Sequence, residues 1–103
     1  MLALIEGKKD TLEVLCTKHR VRRLALFGSA LSEHFDRARS DIDLLVEFEQ
    51  MPPEERVEHY FGLMEDLERL FGTPVDLVEV EAVQNPYFQK SIEETKTVLY
   101  DAA

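Results

Sequence analysis

The chain has 103 residues, 45% of them hydrophobic, which suits one folded domain with a single modest core and excludes a disordered polymer. Its 21 acidic residues against 12 basic ones leave a net charge of -9. Such a surface repels phosphate backbones, which disfavours unaided binding to long nucleic acid and suits a basic protein partner, although solubility alone also accounts for acidity.

One cysteine, Cys16, excludes an internal disulfide and fits a reducing compartment. No cationic start with a following apolar run marks a secretory leader. No stretch is long enough to span a bilayer, so the cytoplasm is the expected location. The first predicted helix opens on Asp10 and Glu13, whose three-residue spacing suits a capping pair. Leu12, Leu15, Cys16 and His19 share one of its faces, and Lys18 and Arg20 complement the dipole at its end. On that face Cys16 reads as a small core residue, and His19 as a helix-end residue rather than a ligand.

A strand over about residues 22–27 then delivers Gly28-Ser29. Gly28 permits a tight turn and lets a ligand approach the backbone. Ser29 can cap the next helix, and the exposed N–H groups of a helix start also accept phosphate. Residues 41–48 read as the central strand. Side chains two apart share a face, so Asp41 and Asp43 project together while Ile42, Leu44 and Val46 face the other way. Neighbouring carboxylates repel and form strands poorly, and a hard divalent cation such as Mg²⁺ is the natural occupant between them. Glu47 falls on the same face, further along, as a peripheral residue.

Met51-Pro52-Pro53 closes this strand and opens a helix to about Phe71. Its expected apolar stripe is Val57, Tyr60, Phe61, Met64, Leu67 and Phe71, with His59 off the stripe and facing solvent. Gly72 and Pro74 stop it. Residues 75–80 form the next strand, with Asp76 beside Val78 and Val80; taken alone, Asp76 is either an edge residue or a metal carboxylate. Asn85 caps a last helix with Pro86 at its first position, Phe88 and Ile92 share a face, and residues 97–100 add a final strand. A phosphate-binding turn followed by metal-binding carboxylates is the chemistry of a nucleotide and its magnesium.

Gly28-Ser29, the intervening segment and Ser40-Asp41-Ile42-Asp43-Leu44-Leu45-Val46 resemble the signature of nucleotidyltransferases of the DNA polymerase beta superfamily. More narrowly the chain is similar to the minimal nucleotidyltransferases (MNT proteins) encoded as antitoxins beside helical HEPN proteins. Val75-Asp76-Leu77-Val78 matches that family's third-carboxylate strand, and Asn85-Pro86-Tyr87-Phe88 and Val98-Leu99-Tyr100 extend the match through nearly the whole chain. One departure stands out. Many members carry a basic residue and a glycine shortly after the serine, where this chain reads Ala30-Leu31-Ser32-Glu33-His34. Arg37 and Arg39 either replace that charge or are solvated loop residues.

The resemblance implies an α/β domain of the α+β type in two layers: a mixed, mostly antiparallel sheet with helices packed on one face, over a single domain spanning residues 1–103. It implies Asp41, Asp43 and Asp76 as the catalytic carboxylates and as ligands of two Mg²⁺ ions, with Gly28, Ser29 and Ser40 holding the nucleotide, ATP. The implied reaction moves AMP to a hydroxyl, tyrosine being expected, of a HEPN ribonuclease toxin with which the chain forms a hetero-oligomer. So short a chain leaves no room for a separate acceptor-holding domain, which favours a protein acceptor. The alternatives are an antitoxin that neutralises its partner by binding alone, and nucleotidyl transfer to a small molecule or an RNA.

Overall fold

The computed structural model describes residue 5, residues 7–27 and residues 42–102. Among the fully described elements the first is the helix α1 (Lys9–Lys18), which buries Leu12 and Cys16, and the buried His19 follows as its C-cap. The face expected from the sequence is therefore the one that packs, but the expected cap is not formed. Lys8 occupies the N-cap position without a side-chain bond, and Asp10 lies inside the first turn, where its charge meets the positive end of the helix dipole. Arg20, with φ 57°, turns the chain out of the helix in the left-handed conformation.

Strand β1 (Val21–Phe27) runs antiparallel to β2 (Ile42–Phe48) and to β4 (Thr97–Asp101). Strand β3 (Val75–Glu79) joins β2 in parallel, which gives the order β3-β2-β1-β4. The sheet is thus mixed and mostly antiparallel, as the resemblance implied. The central strands are covered on both faces, so Leu24 to Phe27 and Leu44 to Val46 are buried without alternation.

The parallel pair needs a long crossover, supplied by α2 (Pro53–Phe71). Proline stands in its first turn, and Gly72, at φ 67°, donates its N–H to the Glu68 carbonyl and closes it. The buried stripe is Leu63, Leu67 and Phe71, with Tyr60, Met64 and Leu70 packed beside it. Val57 and Phe61, expected in the stripe, are instead 55% and 56% exposed. Apolar residues in α2 cover two adjacent helical faces, and packing selects the face centred on Leu63 and Leu67, leaving the flank in water.

Helices α1 and α2 pack on one sheet face around Leu24, Leu26, Ile42, Leu44, Val46, Val75 and Leu77. After β3 the chain makes a short 3-10 turn (Val80–Ala82), so the strand is one residue shorter than expected and Val80 leaves its face. The last helix, α3 (Pro86–Thr95), starts as expected. The Asn85 side chain accepts the Tyr87 and Phe88 N–H groups at 2.9 and 3.2 Å. Its Ile92 packs on the opposite sheet face, against Ala25, Phe27 and Leu45. The third helix therefore shares the face that carries Asp43, which is only partly open.

Candidate active site

The parallel register sets Ile42 opposite Val75 and Asp43 opposite Asp76. Ile42 and Val75 go into the core beneath α2, so alternation turns both aspartates to the other face. Asp43 is half-buried and Asp76 exposed. On the other side of β2, Phe27 stands opposite Asp43, and its ring meets Phe88 of α3 edge to face at 5.9 Å between centroids. The Ile42 N–H bonds to the Pro74 carbonyl at 3.1 Å, which fixes the start of β2 beside the entrance to β3. Two carboxylates far apart in sequence are thereby brought together by backbone register.

Gly28, Ser29, Ser40 and Asp41 lie outside the described residues, as do Arg37 and Arg39. Gly28 directly follows Phe27 and Asp41 directly precedes Ile42. Among the described residues no three His, Cys, Asp or Glu side chains converge on one point. The Asp43–Asp76 pair nevertheless suits a metal. Both are hard oxygen ligands set opposite on one face, an arrangement of like charges that a divalent cation relieves.

Among the described residues, the acidic side chains at the far ends of β2 and β3 separate from this pair. Glu79 and Glu81 engage Arg56 of α2 at 3.4 and 3.0 Å. With Glu47 and Glu49 they line a hollow of about 530 Å³ at the opposite ends of β2 and β3, away from the aspartates. Tyr60 donates to the Leu77 carbonyl; burial, then the charges of Asp76 and Glu79, push its phenol up from the ordinary value.

A second polar cluster was not foreseen. His19 Nε2 lies 2.7 Å from Asp66 Oδ2, and His19 Nδ1 lies 3.3 Å from His59 Nδ1. Lys18 and Arg69 also reach Asp66, at 3.0 and 3.3 Å. His59, expected to face solvent, is half-buried against the His19 ring, because α1 and α2 pack side by side. The bond to His19, then Lys18, holds the Asp66 carboxyl below its ordinary value. This cluster ties the two helices together beneath the sheet and lies outside the carboxylate pair. Its only sequence signal was the place of His19 on the same face as Cys16.

A family model described as the nucleotidyltransferase domain matches residues 8–99. The chain belongs to the nucleotidyltransferase family. A relative in Methanocaldococcus jannaschii, assigned by name as a protein adenylyltransferase, is 42% identical over 83 residues that cover 80% of each chain. A solved minimal nucleotidyltransferase shares 26% identity at a TM-score of 0.68, covering 93% of both chains. The tri-AMPylated Shewanella oneidensis HEPN toxin in complex with MNT antitoxin matches at a TM-score of 0.59 and 18% identity, over 95% of this chain and 73% of that one. At that identity the likeness is one of fold. The Asp43–Asp76 pair therefore sits in a nucleotidyltransferase scaffold, on the strands where this family's carboxylates were expected.

Proposed function

We propose that this nucleotidyltransferase moves AMP from ATP to a hydroxyl group, a tyrosine phenol, on a HEPN toxin, and acts as that toxin's antitoxin. The observation that carries the reading is the Asp43–Asp76 pairing across the parallel strands. The relatives' adenylyltransferase names and the AMPylated toxin bound to an MNT protein support the donor, the acceptor class and the hetero-oligomer. We take residues 1–103 as one domain working in the cytoplasm; among the described residues no helix is long and apolar enough to cross a membrane.

Asp41 and Asp43 would hold the ion on the triphosphate, and Asp76 would complete a second Mg²⁺ position. When bound, these ions neutralise charge on the phosphoryl oxygens. Asp76, the more exposed carboxylate, would help activate the acceptor hydroxyl by taking its proton. The acceptor oxygen bonds to the α-phosphorus as the bond to the bridging oxygen breaks and pyrophosphate leaves. Gly28 and Ser29 would hold the outer phosphates through backbone and hydroxyl donors, and Ser40 would also contact the nucleotide.

The test is the intact mass of the cognate HEPN protein after incubation with this chain, ATP and magnesium, beside an Asp41→Asn, Asp43→Asn double variant. One or more added AMP groups, absent with the variant, is the expected result. An unchanged mass despite a stable complex would make the chain a binding antitoxin, and label found on RNA or on a small molecule would move the acceptor.

A further inference from the structure

On the carboxylate face lies a hollow of about 220 Å³, lined by Leu45, Val80, Val83, Gln89, Ile92 and Glu93. Leu45 follows Asp43 by two positions on β2, so the side chains share a face about 7 Å apart along the strand. Leu45 pairs with Val78 as Asp43 pairs with Asp76. The hollow thus begins in the next row of the same face, roofed by α3, at a separation that one ribose can bridge.

Size and lining restrict the occupant. Pockets for whole small-molecule ligands enclose roughly 300–1,000 Å³ and are mostly apolar with a few placed polar groups. This hollow is smaller and takes one planar ring system rather than a complete nucleotide. Four of its six lining residues are aliphatic, and the other two present acceptors. Gln89 gives its Nε2 to the Val83 carbonyl at 2.7 Å, which leaves the amide oxygen as an acceptor. Glu93 is a carboxylate whose Oε1 is paired with Lys96 at 3.0 Å. The Gln89 amide oxygen and the Glu93 carboxylate outnumber the one remaining Gln89 Nε2–H inside the rim, so the rim favours an exocyclic amino group over a carbonyl.

We propose that this hollow is the nucleobase site of the donor nucleotide, and that the Gln89–Glu93 rim selects a base bearing an exocyclic amino group. The proposal rests on the nucleotidyltransferase reading and adds to it the residues that recognise the base. Titration calorimetry on the full chain with magnesium tests it with three probes: ATP, inosine triphosphate (a carbonyl where adenine has its amino group) and inorganic triphosphate. Val80→Phe, at a partly exposed wall position, fills the hollow; Gln89→Leu removes the acceptor from the rim.

The wild-type chain is expected to bind ATP more tightly than either other probe. Val80→Phe weakens ATP at least about tenfold and leaves inorganic triphosphate within about twofold. Gln89→Leu narrows the gap between ATP and inosine triphosphate by about fivefold, the scale of one hydrogen bond. Unchanged ATP binding in Val80→Phe would overturn the proposal, as would an equal loss of ATP and triphosphate with the circular dichroism spectrum intact. If Val80→Phe does not fold, an unaltered gap in Gln89→Leu, an exposed position, overturns the rim and with it the base site. A wild-type chain that binds ATP and triphosphate equally overturns this site alone, whereas one that binds neither overturns the nucleotidyltransferase reading as well.

Discussion

Asp43 on β2 and Asp76 on β3 are directly opposed in a parallel register, with Phe27 opposed to Asp43 on the other side. The central strand therefore presents its carboxylate between an aromatic ring and a second carboxylate. Opposed like charges in a sheet cost stability, and a cation that binds only the folded chain returns it. Asp76→Asn is expected to raise the metal-free stability by up to about 1 kcal/mol, the scale of a cross-strand pair, while abolishing AMP transfer. Thermal melts with and without magnesium check this: the metal raises the wild-type midpoint more than that of the variant, which keeps Asp41 and Asp43.

The helix–helix cluster predicts an acid limit on stability. The Asp66 carboxyl is held below its ordinary value of 3.8, chiefly by its bond to His19. A depressed carboxylate stabilises the fold fully above the unfolded value, and this contribution is lost as pH falls through the folded value. The difference in unfolding free energy between wild type and Asp66→Asn, roughly 1–3 kcal/mol near neutrality for a bond to a charged group, should shrink below about pH 4. A difference that stays constant from pH 7 to pH 2 would remove Asp66 from this role.

Gly62 is placed by the same cluster. A Cβ at this position would lie 2.8 Å from His19 Cε1, and that ring is fixed by Asp66 and His59. Overpacking costs about 1–3 kcal/mol, against about 1 kcal/mol gained from replacing a mid-helix glycine with alanine. Gly62→Ala is expected to destabilise the wild type by roughly 1 kcal/mol, and to stabilise the chain when His19→Ala is already present. Urea unfolding of the two single variants and the double variant measures both signs in one cycle.

Cys16 should be chemically silent. It is fully buried on α1, and burial, then the nearby Glu13 charge, push its thiol up to about 12. The thiolate is the reactive form, so a thiol reagent at pH 8 should label the native chain only at the rate of global unfolding. Labelling in urea supplies the comparison, and rapid native labelling would contradict the packing of α1.

Much of this was legible in the sequence, for identifiable reasons. Ile42, Leu44 and Val46 alternate with Asp43, so period two alone placed the carboxylate away from the core. Asn85-Pro86 announced the start of α3. Two features escaped because tertiary packing decides them. The apolar residues of α2 permit two stripes, and only docking against the sheet buries Leu63 while leaving Val57 and Phe61 outside. The His19–His59–Asp66 contacts join residues from separate helices, a relation no local pattern encodes. Val80 left its strand for the 3-10 turn, and nothing in its β-branched side chain signals that. The resemblance grouped Asp76 with Asp41 and Asp43, but the pairing of Asp43 with Asp76 emerged only in the sheet, since strand order is not written in periodicity. Gly28, Ser29, Ser40 and Asp41 remain proposals for the site.

The crossover through α2 also has a kinetic meaning. β1 can zip onto β2 early, but β3 finds its place only after the long helix has docked, because parallel pairing follows a long-range closure. Asp76 rides on that strand, which stands at one edge of the sheet among the described strands. The Asp43–Asp76 carboxylate pair therefore forms only on a long-range closure and separates when this edge frays. Fraying of β3 would part the two carboxylates while most of the secondary structure persists, so the proposed chemistry is expected to be lost before the fold is.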